Sequence, residues 1–296
     1  MAGGGSPSAV RAPSISFGLS PGELRTLVEA ALKEDLGSGD VTTRLTVPEG
    51  QKARGAFINK QALVVAGLPV AAEAFRVLEP SIAWEPIIEE GAEVGPGVRL
   101  AIVSGTAAAL LGGERVALNF LQRLSGIATL TRRLKVELAG LQVDLLDTRK
   151  TTPGLRSLEK YAVRVGGGRN HRMRLDDGIL IKNNHLRLAG GIRAAVESAR
   201  RRRPPRMLIE VEVSNLAELD EALTAGADAV LLDNMTPAEV RECVRRAAGR
   251  VRVEVSGGIN AANIRAYGET GVDSISVGAL THSAAAGDIH FLIEPL

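Results

Sequence analysis

Apolar residues recur at three- and four-residue spacing near the start of the chain: Leu24, Leu27, Val28, Ala31 and Leu32. Ser20-Pro21-Gly22-Glu23 stands before them, an N-cap, a proline suited to the first helical position and an acid three residues after the cap. The pattern predicts an amphipathic helix that ends in the turn-rich stretch 34–40. From 55 to 103 short apolar runs (56–58, 62–66 and 98–103) alternate with Gly and Pro, and 68–77 reads as a helix among them. These features predict an α+β sheet domain. A long helical pattern starts near 106 and passes through Glu114-Arg115-Val116-Ala117-Leu118-Asn119-Phe120-Leu121. Ser125-Gly126 is expected to break it before it resumes over 127–138.

Beyond Gly140 the texture changes to short β-branched runs separated by helical segments. The runs lie at 143–146, 178–181, 207–213, 229–232, 252–255 and 274–277. Such alternation predicts parallel βα units. Two later units match in design, since 219–228 and 264–273 both end in Gly, an apolar residue and Asp just before a strand. Repetition favours a barrel over a doubly wound sheet. Six recognisable strands rather than eight predict an incomplete barrel, or two strands that the pattern does not reveal.

Composition narrows the partners. The 296 residues, 45% of them apolar, suffice for one large domain or two ordinary ones with a sizeable core. Lys and Arg (36) nearly balance Asp and Glu (34), so the net charge of +2 gives no general attraction to nucleic acid or a membrane surface. Any strong positive field is local. A single cysteine, Cys243, excludes an intrachain disulfide and a thiolate metal cluster, and it suits a reducing, cytoplasmic setting. Residues 1–14 are rich in Gly, Ser, Pro and Ala without an apolar run, so they read as a disordered tail rather than a signal peptide or membrane span.

Charge is concentrated where a βα barrel keeps its chemistry, at the carboxyl ends of the strands. The first run leads into Asp147-Thr148-Arg149-Lys150-Thr151-Thr152-Pro153-Gly154-Leu155-Arg156, and the second delivers Lys182. The third carries Glu210 and Glu212, which period-two alternation puts on one face; the fourth delivers Asp233 and Asn234. The last two deliver Ser256-Gly257-Gly258 and Gly278. Taken alone, Arg149-Lys150 reads as a solvated pair, Glu210 and Glu212 as partners of barrel lysines, and Ser256-Gly257-Gly258 as a plain turn. His185, His282 and His290 lack metal-ligand spacing and read as structural. The arginines of 200–206 close a helix, where cations meet its C-terminal dipole, and few aromatics accompany them as nucleic-acid binding would require. Recurrence at successive strand ends turns the balance: clustered cations, carboxylates and glycine loops point to a phosphosugar site with room for a second anion. The chemistry this suggests is phosphoryl or glycosyl transfer, with no Ser-His-Asp set, catalytic thiol or redox-cofactor fingerprint.

At these residues the sequence resembles the nicotinate-nucleotide pyrophosphorylase, or quinolinate phosphoribosyltransferase, family. The likeness runs through Glu34-Asp35-Leu36, Gly39-Asp40-Val41-Thr42-Thr43, the stretch 113–129, Asp147 to Arg156, Asn170-His171-Arg172, Leu180-Ile181-Lys182, Glu210-Val211-Glu212-Val213, Leu231-Leu232-Asp233-Asn234 and Ser256-Gly257-Gly258-Ile259. It implies an α/β fold: an N-terminal α+β sandwich domain (15–125 with 283–296) packed on an incomplete α/β barrel (126–282). It also implies a homodimer with shared active sites, in some arrangements a hexamer, acting with Mg²⁺ on quinolinate and phosphoribosyl pyrophosphate. By the family pattern Arg149, His171 and Arg172 hold the two quinolinate carboxylates, and Arg115 joins them from the neighbouring subunit. Lys150 and Lys182 lie beside the pyrophosphate and reacting centre, while Glu212 and Asp233 stand near the ribose hydroxyls and Mg²⁺. Ser256, Gly257 and Gly278 match the 5′-phosphate cradle. The second readings are a paralogue using nicotinate and a molybdenum-transport-associated binding or accessory module on the same scaffold. One departure stands out: Lys182-Asn183-Asn184-His185 replaces the family's usual Lys-Asp-Asn-His, which predicts altered tuning with activity kept.

Overall fold

The computed structural model describes residues 16–296, so the expected 1–14 tail lies outside the described residues. The first part of the chain forms helices α1 (Pro21–Leu36) and α2 (Val41–Thr46), then strands β1 (Lys52–Asn59) and β2 (Leu63–Val64). Helix α3 (Leu68–Leu78), strands β3 (Ala83–Pro86), β4 (Glu93–Val94) and β5 (Arg99–Thr106) and helix α4 (Ala107–Glu137) complete it. In α1 the predicted cap is present: Ser20 Oγ accepts from the Glu23 N–H, and the Glu23 carboxylate accepts from the Ser20 N–H at 2.8 Å. Its apolar stripe turns Val28 and Leu32 into the core.

The second part alternates as predicted. It runs β6 (Asp144–Leu146), α5 (Arg156–Val165), β7 (Ile179–Ile181), α6 (Asn183–Ala189), α7 (Ile192–Arg202), β8 (Ile209–Val213), α8 (Leu216–Ala225), β9 (Ala229–Asp233) and α9 (Pro237–Ala247). Then follow β10 (Arg252–Ser256), α10 (Ile264–Gly268), β11 (Ser274–Ser276), α11 (Ala279–His282) and a last strand, β12 (Ile289–Pro295). The six strands expected from the sequence form one parallel sheet in the order β6-β11-β10-β9-β8-β7. Its edges β6 and β7 are not paired with each other, so the barrel is open between them. Only an isolated bridge from Leu146 to Arg169 extends the β6 edge.

Strand alternation decides what faces each way. Leu145, Val211, Val213, Val230, Leu232, Val253, Val255 and Ile275 are almost fully buried beneath the surrounding helices. The opposite positions, Glu210, Glu212, Asp233, Glu254, Ser256, Ser274 and Ser276, make the barrel interior polar. The repeated Gly-apolar-Asp now has a physical role. Asp228 accepts from the Ile209 N–H at 2.8 Å and Asp273 from the Val253 N–H at 2.7 Å, so each carboxylate ties the start of its strand to the neighbouring one.

Two features of the N-terminal part differ from the periodic reading. Helix α4 runs unbroken for 31 residues through Ser125 and Gly126. Ser125 is buried with its hydroxyl on the Ala66 backbone, and a methyl group at position 126 would collide with the Ala285 carbonyl. These small residues admit neighbouring backbone rather than end the helix. The other feature is long-range pairing: β12 joins β1 antiparallel, giving a four-stranded sheet ordered β12-β1-β5-β3. Phe57, Phe75, Trp84 and Phe291 cluster beneath it, with the Phe57 and Phe291 rings 4.6 Å apart.

Candidate active site

The carboxyl ends of the parallel strands bring together four of the predicted residues. Lys182 follows β7 directly, and its Nζ lies 2.5 Å from Glu212 Oε2 on β8. Asp233 ends β9 close by. Burial raises its pKa first, the Glu212 charge raises it further, and Lys182 and Lys150 pull the other way. Lys150 arrives from the loop after β6, where the Thr281 hydroxyl donates to its carbonyl at 2.7 Å. Its side chain passes against Gly278, with Cδ 3.0 Å from where a Cβ there would stand. Two lysines and two acids thus share one end of the barrel.

Beside them the exits of β9 and β10 are pressed together. Asn234 adopts φ 56° and donates its N–H to the Ser256 carbonyl at 2.9 Å. Gly257 has φ 101°, and any Cβ there would meet the Asn234 side chain and backbone. Only glycine fits. Ser256, Gly257 and Gly278 therefore lie on adjacent strand exits, in positions where backbone N–H groups and a hydroxyl are available to an anion.

A buried lattice that the sequence reading missed supports this end. Asp147 and Lys160 are fully buried, with Lys160 Nζ 2.5 Å from Asp147 Oδ1 and 2.9 Å from the His171 carbonyl. Asp147 also accepts from the His171 N–H at 2.9 Å and from Asn170 Nδ2. Burial pushes the Asp147 pKa up and the Lys160 pKa down, and the surrounding hydrogen bonds hold the pair against that desolvation. Glu159, also buried, binds Arg123 and takes hydrogen bonds from the Thr152 hydroxyl (2.7 Å) and N–H (3.0 Å). One helix, α5, therefore anchors both the 147–156 loop and the 169–172 arm. The available signal was Glu159-Lys160 inside the short segment 156–165, where both side chains occupy buried positions.

Arg149 and Arg172 are brought near each other. Burial lowers the Arg172 pKa, and the Arg149 charge lowers it again. Arg172 Nη1 donates to the Gly178 carbonyl at 2.9 Å, while Arg149 Nε is buried without a hydrogen-bond partner among the described residues. His171 points elsewhere. Its Nε2 lies 3.2 Å from Glu210 Oε2 and 3.7 Å from Glu254 Oε2, inside the barrel. This cluster lines a cavity of about 720 Å³ whose walls include Asp144, Ala229, Arg252 and Ser274 at the amino ends of the strands. This cavity, which Arg172 also lines, opens at the end opposite Lys150, Lys182 and Asp233.

His171, Glu210 and Glu254 offer three ligand atoms within 4.8 Å of one another. A metal is nevertheless a poor fit. His171 Nδ1 accepts the Arg172 N–H at 2.7 Å, which leaves the ring proton on Nε2, the atom a metal would need. Other histidines serve structure: His185 Nδ1 accepts the Lys182 N–H at 2.9 Å, and His282 pairs with Ser283 at 2.6 Å. Asn183, the departure noted above, opens α6 directly after Lys182. Arg115 is exposed on α4, away from the groups gathered at the strand ends.

The family model for the quinolinate phosphoribosyl transferase C-terminal domain matches residues 127–292, and that for the N-terminal domain matches 40–125. The chain belongs to the quinolinate phosphoribosyltransferase family. Among its relatives, the probable nicotinate-nucleotide pyrophosphorylase of Synechocystis is 44% identical over 84% of this chain and 85% of its own length. That of Bacillus subtilis is 42% identical over 90% of this chain and 92% of its own. Solved quinolinate phosphoribosyltransferase-family structures agree over nearly the whole molecule. The nicotinate-nucleotide pyrophosphorylase of Francisella tularensis superposes with TM-score 0.89 at 39% identity, covering 94% of this chain and 99% of that one. NadC from Streptococcus pyogenes gives TM-score 0.90 at 38% identity, covering 95% and 100%.

Proposed function

We propose that the chain joins quinolinate to the phosphoribosyl group of phosphoribosyl pyrophosphate, yielding nicotinate mononucleotide, pyrophosphate and CO₂ for NAD biosynthesis, with the diacid held where Arg149 meets Arg172 and the phosphoribosyl group at the carboxyl ends of the strands. The observation that carries this reading is Arg149 beside Arg172, the former with a buried, unpartnered Nε. Two guanidiniums held together in a half-buried setting are unfavourable until a dianion joins them. A pyridine diacid supplies that charge.

The remaining residues suit the demands of the reaction. As pyrophosphate departs, the ribose acquires oxocarbenium character, which the carboxylates Glu212 and Asp233 stabilise while Lys150 and Lys182 meet the leaving group. Attack by the ring nitrogen creates a pyridinium whose positive charge stabilises the carbanion left on the adjacent ring carbon as its carboxylate departs as CO₂, and a proton taken up from solvent at that carbon completes nicotinate mononucleotide. Mg²⁺ would enter with phosphoribosyl pyrophosphate and neutralise its charge. Glu212 and Asp233 offer the hard carboxylate oxygens that Mg²⁺ takes, at the same end of the barrel as Lys150 and Lys182. Ser256, Gly257 and Gly278 would receive the 5′-phosphate, and Arg115 would complete a partner's diacid pocket in a cytoplasmic homodimer. His171 has both ring nitrogens engaged, so it serves the diacid through the arm it shares with Arg172.

The test is direct. Purified protein with Mg²⁺ and phosphoribosyl pyrophosphate is expected to release pyrophosphate only when quinolinate is added, with one CO₂ for each pyrophosphate. Release with nicotinate in its place, or no release with quinolinate, overturns the reading.

A further inference from the structure

We propose that Glu254 on β10 is a positioning residue for diacid binding: with Glu210 it grips the His171 imidazole from inside the barrel and thereby fixes where Arg172 stands. The inference rests on the reading of Arg149 and Arg172 as the diacid site. Nothing in the family pattern described above gives Glu254 a part. Its side chain is 7% exposed, faces the barrel interior and lies 3.7 Å from His171 Nε2. His171 in turn is joined to Arg172 by more than sequence, because its Nδ1 receives the Arg172 N–H at 2.7 Å. The ring is held by Glu210 at 3.2 Å on one edge, with Glu254 behind it at 3.7 Å, and by the Arg172 N–H on the other, so the orientation of the ring and the place of the Arg172 backbone are coupled.

Charge balance gives the clamp a second property. Because Nδ1 accepts an N–H, the imidazole has one proton to offer, on Nε2, and one donor cannot neutralise two buried carboxylates. The cluster therefore holds a further proton. Burial lowers the His171 pKa, but Glu210 and Glu254 more than reverse this, and protonation at Nδ1 would break the Arg172 bond. The proton is better placed on Glu254, whose pKa burial and the Glu210 charge push up to about 7.

The groups that face the cluster come from several elements. β11 contributes only the Ser276 and Ser274 hydroxyls, at 2.5 and 3.4 Å from Glu254, and β9 places Leu231 level with it. Glu210 comes from β8, Lys160 of α5 acts on His171, and Arg172 faces Glu210. As pH rises through about 7 the cluster gains a negative charge beside the arm that must attract a dianion.

The experiment compares wild type with Glu254→Gln, which stays neutral while keeping the shape, across pH 6 to 9. In wild type the KM for quinolinate should rise by about tenfold over this range, as expected when one added charge opposes a dianion at short range. In Glu254→Gln that rise should be absent, with kcat and the KM for phosphoribosyl pyrophosphate following the wild-type profiles. Ser276→Ala provides the second arm, since its hydroxyl bond lowers the Glu254 pKa; its loss should move the wild-type midpoint to higher pH. Superimposable quinolinate KM profiles in wild type and Glu254→Gln overturn the clamp, as does an unmoved midpoint in Ser276→Ala. A wild-type protein without quinolinate-dependent turnover would instead overturn the functional reading beneath it.

Discussion

At the scale of single residues, the 147–156 loop and the 169–172 arm owe their geometry to buried charges that pair with each other. Asp147 and Lys160 neutralise each other at zero exposure while bonding His171 and Asn170. Lys160→Met would leave the carboxylate buried without its cation, a change that costs about 3–5 kcal/mol. Thermal denaturation should register this as a large fall in Tm, and an unchanged Tm would remove the anchoring role. Glu254 links stability to pH with a definite sign. Its folded pKa, about 7, exceeds the ordinary 4.5, so the protonated form stabilises the fold. That contribution is complete below about pH 4.5 and is lost as pH rises through about 7. Glu254→Gln should therefore show a flatter dependence of Tm on pH between those values than wild type. Cys243 is inert by contrast: it is buried, and burial followed by Glu239 and Glu242 pushes its thiol up to about 11.

At the scale of elements, short strands determine chemistry and long helices determine placement. Strands β8 and β10 carry a polar face toward the barrel and a β-branched face toward the helices, an alternation legible in Ile209-Glu210-Val211-Glu212-Val213, whereas β9 turns Leu231 inward beside Asp233. Helix α4 is the opposite case. Ser125-Gly126 looks like a helix stop, yet it is the contact point where α4 passes the Ala66 and Ala285 backbones. Gly126→Ala would be neutral or favourable in an isolated helix, but here the methyl has no space. The expected loss is about 1–3 kcal/mol, the usual cost of overpacking. Chemical denaturation checks it, and a stabilised variant would show that the contact yields. The basic run that closes α7 is likewise structural in this chain: Arg200 donates to the carbonyls of Ala225 and Gly226, and Arg203 pairs with Asp228.

At the scale of the molecule, an open barrel with Lys150 and Lys182 exposed at its carboxyl end leaves Arg115, exposed on α4, without a role within one chain. If it completes the partner's site, Arg115→Ala and Lys150→Ala should each remove most turnover without lowering Tm. Mixing the two variants under conditions that exchange subunits should then restore activity. Random pairing makes about half the dimers mixed, each with one intact site, so recovery should approach about a quarter of the wild-type rate. No recovery, despite exchange shown by mass, would place Arg115 outside a shared site.

Periodicity and turn chemistry in the sequence determined the capped α1, the six parallel strands, the shared face of Glu210 and Glu212 and the strand-end location of Lys150, Lys182, Glu212 and Asp233. These follow from local rules, because strand alternation and helix capping are encoded within a few residues. Tertiary structure alone decided the rest. It set the antiparallel register of β12 on β1, where the family resemblance implied only that 283–296 joins that domain, carried α4 through Ser125-Gly126, buried Lys160 on Asp147 and turned His171 toward Glu210 and Glu254. Each depends on a partner far along the chain, and whether a charge is buried, paired or protonated is set by that partner rather than by its neighbours in sequence.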